Sequence, residues 1–98
     1  MQAMNPPNRA ARIEAAIRGA FAPTEVIVQD DSALHAGHAG ARPGGETHYT
    51  LRIVAPGFAG QSRVTRSRAV HEALAAEFVT GLHALSLKLL TPEEAARG

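Results

Sequence analysis

The segment THYTLRIV, residues 47–54, alternates between apolar and polar side chains. Tyr49, Leu51 and Ile53 face one way while Thr50 and Arg52 face the other, which is typical of a strand with one buried face. A sheet with one buried face needs a second layer of secondary structure to cover that face. The chain is therefore predicted to pack helices against one side of a small sheet.

Two further strands are predicted around this segment. EVIVQD, residues 25–30, is short and rich in β-branched residues, and LHALSLKLL, residues 82–90, has leucines on alternate positions. The first strand can pair antiparallel with 47–54 across a long loop from Asp31 to about Glu46. The last strand follows a helix, which permits a parallel pair with 47–54.

Three helices are predicted from apolar spacing and from residues that begin or end helices. The apolar positions are Ile13, Ala16, Ile17, Ala20 and Phe21 in the first helix and Val70, Ala73, Leu74 and Phe78 in the second. The first helix is expected to begin after Asn8 and to end before Pro23. The second is expected to begin after Ser62 or Thr65 and to end before Gly81. TPEE, residues 91–94, has the capping-box pattern of a short final helix.

The resulting order, α-β-β-α-β-(α), predicts one α+β domain with a three-stranded mixed sheet and its helices on one face. The 98 residues fit a single domain. The expected divisions are a disordered N-terminus at 1–8, the folded domain at 9–94 and a C-terminal tail at 95–98.

Charge and cysteine content narrow the classes of function. Ten basic and nine acidic residues give a net charge of +1, which argues against a protein that binds nucleic acid through bulk charge. The lack of cysteine excludes disulfides and thiolate metal sites built by this chain alone. We find no secretory signal, membrane span or nucleophile motif, so we expect a cytoplasmic protein that is not an enzyme.

The histidines are the candidate metal ligands. His35 and His38 lie in the alanine- and glycine-rich stretch SALHAGHAGARPGG, residues 32–45, which has room for a metal ion but no zinc signature. His83 shares the parity of the leucines that follow it, so it is either a core residue or projects at the end of the sheet. His48 is expected to pack structurally, and His71 to be solvated.

The segment SRVTRSR places Arg63, Arg66 and Arg68 near the start of the second helix. These cations form either a solvated charged face or a site for an anion, such as a phosphate backbone or the carboxylates of a partner. GFAG, residues 57–60, also fits the G-x-x-G pattern of KH nucleic-acid domains, but here it follows a strand rather than a helix.

Three stretches together resemble the BolA family: HAGHAGARPGGETHYTLRIV, FAGQSRVTRSRAVHEALAAE and LHALSLKLLTPEE. The likeness covers about residues 12 to 94. It implies a KH-like fold and a role as partner of monothiol glutaredoxins that carry a CGFS motif. Such a pair holds a bridging [2Fe-2S] cluster together with glutathione, in iron-sulfur trafficking or iron regulation. Some members of the family are described as DNA-binding transcriptional regulators linked to stress and cell shape.

The resemblance also assigns roles to individual residues. It implies that His83 is one cluster ligand and that a loop histidine is the other, for which His35 is preferred and His38 is the alternative. The family often has a histidine between two arginines of the second helix, where this chain has Ser67. Because the chain has no thiolate, we expect no stable cluster on the isolated protein. We expect DNA binding through Arg63, Arg66 and Arg68 to be weak and salt-sensitive.

Overall fold

The computed structural model describes residues 8–31 and 47–97. Its elements are the helices α1 (Arg9–Phe21), α2 (Arg63–Ala73), α3 (Ala75–Val79) and α4 (Pro92–Ala96), the strands β1 (Glu25–Asp30), β2 (His48–Val54) and β3 (Ala84–Leu90), and a 3-10 turn at Pro56–Phe58. The α+β class and the predicted order of strands and helices are confirmed.

The strands form one sheet in the order β1-β2-β3. β1 runs antiparallel to β2, with Val28 opposite Leu51, and β3 runs parallel to β2, with Leu87 opposite Leu51. Both pairings agree with the prediction. β2 is therefore the central strand, and the sheet is mixed.

The core lies on one face of the sheet, under the helices. Tyr49, Leu51 and Ile53 of β2 are at most 2 % exposed and pack with residues of α1, α2 and the connections between elements. These are Ile13, Ile17, Ala55, Phe58, Val70, Leu74 and Leu82. On the other face, Ile27, Ser86 and Lys88 are exposed. The alternation of 47–54 thus separates a covered face from an open one.

The second predicted helix is divided in two at Leu74. The backbone of Leu74 has φ −106° and ψ 15°, which is not helical, while its side chain is buried in the core. Its N–H lies 3.1 Å from the carbonyl oxygen of Val70 and 3.3 Å from that of His71, a sharing that is common at helix ends. The sequence has neither proline nor glycine here, so propensity alone does not indicate the break.

Three helices begin with the predicted caps. The side chains of Asn8, Ser62 and Thr91 each accept a hydrogen bond from the backbone N–H three residues later. Ser62 rather than Thr65 is thus the cap of α2. Glu94 returns a hydrogen bond to the N–H of Thr91, which completes the capping box.

The ends of the chain differ slightly from the expected divisions. Asn8 caps α1 and so belongs to the folded part, while residues 1–7 of the predicted disordered segment lie outside the described residues. α4 continues through Ala96, two residues past the expected boundary at 94.

A cluster of ionic hydrogen bonds fastens α1 to α3. The guanidinium of Arg9 donates to Oε1 of Glu77 at 2.7 Å and to its carbonyl oxygen at 3.0 Å, and Nε of Arg12 donates to Oε2 at 3.0 Å. The side chains of Arg9 and Glu77 are only 9 % and 13 % exposed. Burial alone would raise the pKa of Glu77, but the hydrogen bonds and charges of Arg12 and Arg9 lower it below its usual value.

We expect Glu77→Ala to lower the free energy of unfolding by about 3 kcal/mol, because it leaves the buried guanidinium of Arg9 without its counter-charge. Glu14→Ala is the control, since Glu14 pairs with Arg18 on the surface. It should cost less than about 0.5 kcal/mol. Denaturant unfolding followed by circular dichroism measures both variants, and equal losses would contradict a special role for Glu77.

A second buried arginine joins α2, β3 and α4. Arg66 is 7 % exposed. Its guanidinium donates to the carbonyl oxygens of Leu89 at 2.9 Å and Gln61 at 3.0 Å, and makes two hydrogen bonds to the Glu94 carboxylate at 2.7 and 3.1 Å. It also lies over the ring of Phe58. The hydrogen bond from Arg66, with help from the N–H of Thr91, lowers the pKa of Glu94 to about 2.

The lowered pKa of Glu94 predicts how acid affects the attachment of α4. A carboxyl with a depressed pKa contributes stability above its unfolded pKa and loses it as the pH falls through the folded pKa, here about 2. We expect the side-chain carboxyl signal of Glu94 in carbon NMR to titrate near pH 2. In Arg66→Gln it should titrate closer to the ordinary glutamate pKa of about 4.3. A wild-type midpoint near that ordinary value would show that the ion pair does not form in solution.

Candidate functional site

His83 lies at one end of the sheet, immediately before β3. Its side chain is exposed, and its backbone N–H donates to the carbonyl oxygen of Thr47 at 2.8 Å. The same oxygen accepts from the N–H of Ala84 at 3.1 Å. The backbone of His83 is therefore fixed while its imidazole faces outward, so His83 projects at the sheet end and is not a core residue.

His48, the first residue of β2, is the neighbour of His83. Because β2 and β3 are parallel, both strands begin at the same edge, where His48 is paired with Ala84. The ring centroids of His48 and His83 are 5.3 Å apart, with the rings tilted by 43°. Nδ1 of His48 lies 2.9 Å from Oγ1 of Thr47. We call Thr47, His48 and His83 the histidine corner.

Thr47 holds both parts of the histidine corner. It is 2 % exposed, its carbonyl oxygen binds the backbone of His83, and its hydroxyl contacts the half-buried ring of His48. Sequence reasoning assigned His48 only a packing role and so missed this pair. A partial signal was present, because His48 begins one strand and His83 precedes another, and the two strands were expected to be parallel. The register that brings the two rings together was not specified.

The predicted loop ligands His35 and His38 lie outside the described residues. The described residues that flank their segment are Asp31 and Thr47. The N–H of Asp31 donates to the carbonyl oxygen of His48 at 2.7 Å. Asp31 and Thr47, which border segment 32–46 in sequence, thus both contact residues of the histidine corner. The assignment of His35 or His38 as a ligand stays a prediction.

His71 lies away from this corner, on α2. Its Nδ1 is 2.9 Å from the carbonyl oxygen of Ser67, and its ring stacks on Phe78 with centroids 5.4 Å apart. The residue is exposed. These contacts join His71 to its own helix and to Phe78 of α3.

The three arginines expected to form a basic patch do not share one environment. Arg63 and Arg68 are exposed, whereas Arg66 is buried and bonded to Glu94 and to two carbonyl oxygens. Arg66 thus serves the fold, and the surface patch is reduced to Arg63 and Arg68. Ser67, which stands between Arg66 and Arg68 in sequence, lines a groove between α2 and β3 together with Arg63, Arg66 and Lys88.

The described part of the chain offers few side chains that could bind the expected cluster. Within residues 8–31 and 47–97, no group of three or more histidine, aspartate or glutamate side chains could hold a metal ion. The histidine corner offers two imidazoles at an exposed edge. Two imidazoles are what a Rieske-type [2Fe-2S] centre takes on one iron, while thiolates bind the other iron. Of these two, the exposed imidazole of His83 fits one ligand position of a cluster whose thiolates come from elsewhere.

No helix in the described part of the chain has both the length and the apolar character to cross a bilayer.

Comparison with known proteins agrees with the architecture. The family described as BolA-like protein matches residues 17–94. The chain is 44 % identical over 89 residues to the chloroplastic protein BOLA1 of Arabidopsis thaliana and 43 % identical over 91 residues to the chloroplastic/mitochondrial SufE-like protein 1 of the same plant. The alignments cover 89 % of this chain in both cases, but 56 % and 24 % of those two proteins.

The solved structure of BolA1 from Arabidopsis thaliana has the same fold. It superposes with a TM-score of 0.82 at 42 % identity, over 92 % of this chain and 98 % of that one. The order of elements, the mixed sheet, the family match and this superposition lead to one conclusion. The chain belongs to the BolA-like family.

Proposed function

We propose that this protein is the partner of a monothiol CGFS glutaredoxin, and that the two share a bridging [2Fe-2S] cluster with glutathione. Its role would lie in iron-sulfur trafficking or iron regulation, as a binding protein rather than an enzyme. We also propose that it acts in the cytoplasm, whereas the two named relatives carry chloroplastic or chloroplastic/mitochondrial designations.

The observation that carries this proposal is the geometry of His83. Its imidazole is exposed at the rim of the sheet, while its backbone is bound to a buried threonine. A ligand that bridges two proteins must be reachable by the partner and must hold its position without it. His83 meets both requirements.

The second ligand is proposed to come from the loop, with His35 preferred and His38 as the alternative. The described residues on either side of segment 32–46 support this choice, because Asp31 is hydrogen-bonded to the backbone of His48 and Thr47 to that of His83. The thiolates are assigned to the glutaredoxin and glutathione, because this chain has no cysteine. When bound, the cluster would supply one-electron chemistry at a potential that imidazole ligation raises.

We expect His83→Ala to abolish the histidine-ligated cluster of the heterodimer, because it removes the exposed imidazole whose backbone is held in position by the carbonyl oxygen of Thr47. The wild-type and variant chains are mixed with a CGFS glutaredoxin, glutathione, iron and sulfide. Visible circular dichroism and pulsed EPR of the reduced cluster then report coordinated nitrogen. His71→Ala is the matched control and should keep the nitrogen coupling. Unchanged coupling in His83→Ala would overturn the proposal.

The same assay assigns the loop ligand. His35→Ala should weaken or alter the spectrum with partial rescue by His38, and the double variant should lose that rescue. A loss in His38→Ala alone would move the ligand to His38. Reconstitution without glutaredoxin should give no stable cluster on this chain.

A second candidate function, DNA binding in transcriptional regulation, is favoured by the exposed arginines Arg63 and Arg68. Both lie on α2, and Arg63 lines the groove that Lys88 also borders. Arg66 also lines this groove, but its guanidinium is already bonded to Glu94, so we do not count it as a phosphate contact. The binding surface is therefore small, and the interaction is weak.

We expect the logarithm of the DNA-binding constant to fall with the logarithm of salt concentration with a slope of about −1.8, at about −0.9 for each phosphate that the two arginines neutralise. Arg63→Gln and Arg68→Gln should each remove about half of that slope. Fluorescence anisotropy with a short duplex measures it. Arg18→Gln, an exposed arginine of α1, is the control. An equal loss in that control would show that the patch has no particular role.

A further inference from the structure

We infer that Arg63 and Arg66 form a binding site for a phosphate group at the groove between α2 and β3, and that the Glu94 carboxylate competes with phosphate for this site. The site rests on the DNA-binding candidate only for the source of the phosphate, which is either a nucleic-acid backbone or free phosphate. It extends that candidate, because it adds Arg66 to the phosphate contacts and makes α4 the element that withholds this arginine.

The groove is rich in cations. Arg63, Arg66 and Lys88 line it beside the leucines of β3. Arg63 and Arg66 are three positions apart on α2, so they are neighbours on the surface of that helix. Both arginines also line an adjoining groove, where the described lining residues include one acid, Glu94. An internal carboxylate therefore already faces this group of cations.

The Glu94 carboxylate binds Arg66 as a phosphate would. Nη1 and Nη2 of Arg66 donate to Oε1 and Oε2 of Glu94 at 2.7 and 3.1 Å, one bond to each oxygen. The planar guanidinium offers this pair of donors to carboxylates and phosphates alike. Arg66 also donates to the backbone carbonyl oxygens of Gln61 and Leu89. These bonds hold the guanidinium in place when the carboxylate leaves, so an incoming phosphate would find its donors already oriented.

The packing of α4 permits displacement of Glu94. None of the five residues Pro92–Ala96, all of which the structure describes, is buried. The side chain of Glu94 is 34 % exposed, whereas that of Arg66 is 8 % exposed. Glu94 is thus the outer member of the pair. Its departure opens the guanidinium to the groove and pulls no buried apolar side chain of α4 out of the core.

Competition from Glu94 keeps phosphate affinity low in the wild-type chain. Its pKa of about 2 keeps the carboxylate charged at neutral pH, and the covalent chain keeps it beside Arg66. Removal of this single charge should therefore uncover the site. Glu94→Gln removes it and preserves the start of α4, because a glutamine side chain can also accept the capping-box hydrogen bond from the N–H of Thr91.

The first test is a titration of the full chain with sodium phosphate, without nucleic acid. The Nε–Hε signal of Arg66 in proton-nitrogen NMR reports on the guanidinium. We expect Glu94→Gln to bind phosphate about tenfold more tightly than the wild type, because the competing half of the bidentate pair is gone. Adding Arg63→Gln to this variant should weaken binding about threefold, since one cation of the site is lost. Sodium chloride at equal ionic strength should leave the signal in place.

Glu93→Gln is the matched control for the loss of one negative charge. Glu93 is exposed on the same helix, next to Glu94. The hydrogen bonds of Arg66 to α4 go to Glu94. The phosphate affinity of Glu93→Gln should therefore stay within about twofold of the wild-type value, as expected for an exposed charge.

The second test identifies the source of the phosphate. With a short duplex, the salt slope should steepen from about −1.8 in the wild type to about −2.7 in Glu94→Gln, because Arg66 then neutralises one more phosphate. Glu93→Gln should keep the wild-type slope. If the slope of Glu94→Gln is unchanged while sodium phosphate still shifts the Arg66 signal, the ligand is free phosphate.

Equal phosphate responses of Arg66 in Glu94→Gln and Glu93→Gln would overturn the proposal, and so would the lack of a response in both. If Glu94→Gln fails to fold, Glu94→Asp takes its place, because its shorter side chain weakens the competition. Absence of DNA binding in every variant, with the phosphate response retained, would remove the DNA-binding candidate and leave this site intact.

Discussion

The parallel pairing of β2 with β3 is the constraint on which the rest of the molecule depends. A parallel pair needs a crossover connection, and here α2 and α3 provide it. The crossover covers the apolar face of β2, so the same stretch of chain that joins the strands also closes the core. It also brings the beginnings of both strands to one edge, where residues distant in sequence, His48 and His83, become neighbours.

Two of the arginines, Arg9 and Arg66, are buried and stabilise the fold instead of contributing to the charged surface. A guanidinium removed from water needs a carboxylate and several acceptors, and both Arg9 and Arg66 have them in Glu77 and Glu94. Each of these pairs joins elements that are far apart along the chain. Some of the chain's positive and negative charges therefore neutralise each other in these buried pairs. As a result, fewer cations on α2 are exposed to an anion than its sequence indicates.

Much of the fold could be predicted because its signals are local. The alternation of apolar and polar residues predicted the buried face of β2. Asn8 and Thr91 predicted where two helices begin, because each side chain accepts a hydrogen bond from the backbone N–H three residues later. The break at Leu74 could not be predicted in this way, because it follows from how a buried leucine meets the core. The burial of Arg66 could not be predicted either, because its hydrogen-bond partners include residues of β3 and α4 that are distant in sequence.

The candidate site was predicted only in part. His83 was singled out, but the parity it shares with Leu85 and Leu87 did not decide whether it faces the core. The structure shows it exposed because β3 begins after it, so the strand's alternation does not extend to this position. Its proximity to His48 depends on register across the sheet, which no local pattern in the sequence specifies.

The pair formed by Arg9 and Glu77 has a consequence for how the chain is made. Its partners are separated by 68 positions, so the counter-charge of Arg9 is synthesised long after α1 itself. At roughly 5–20 residues per second, the delay is about 3–14 s. During that interval the apolar stripe of α1, with Ile13 and Ile17, has at most β1 and β2 to pack against, because β3 is synthesised last. A nascent chain of this fold therefore exposes part of α1 to the ribosome surface and to chaperones until its core is complete.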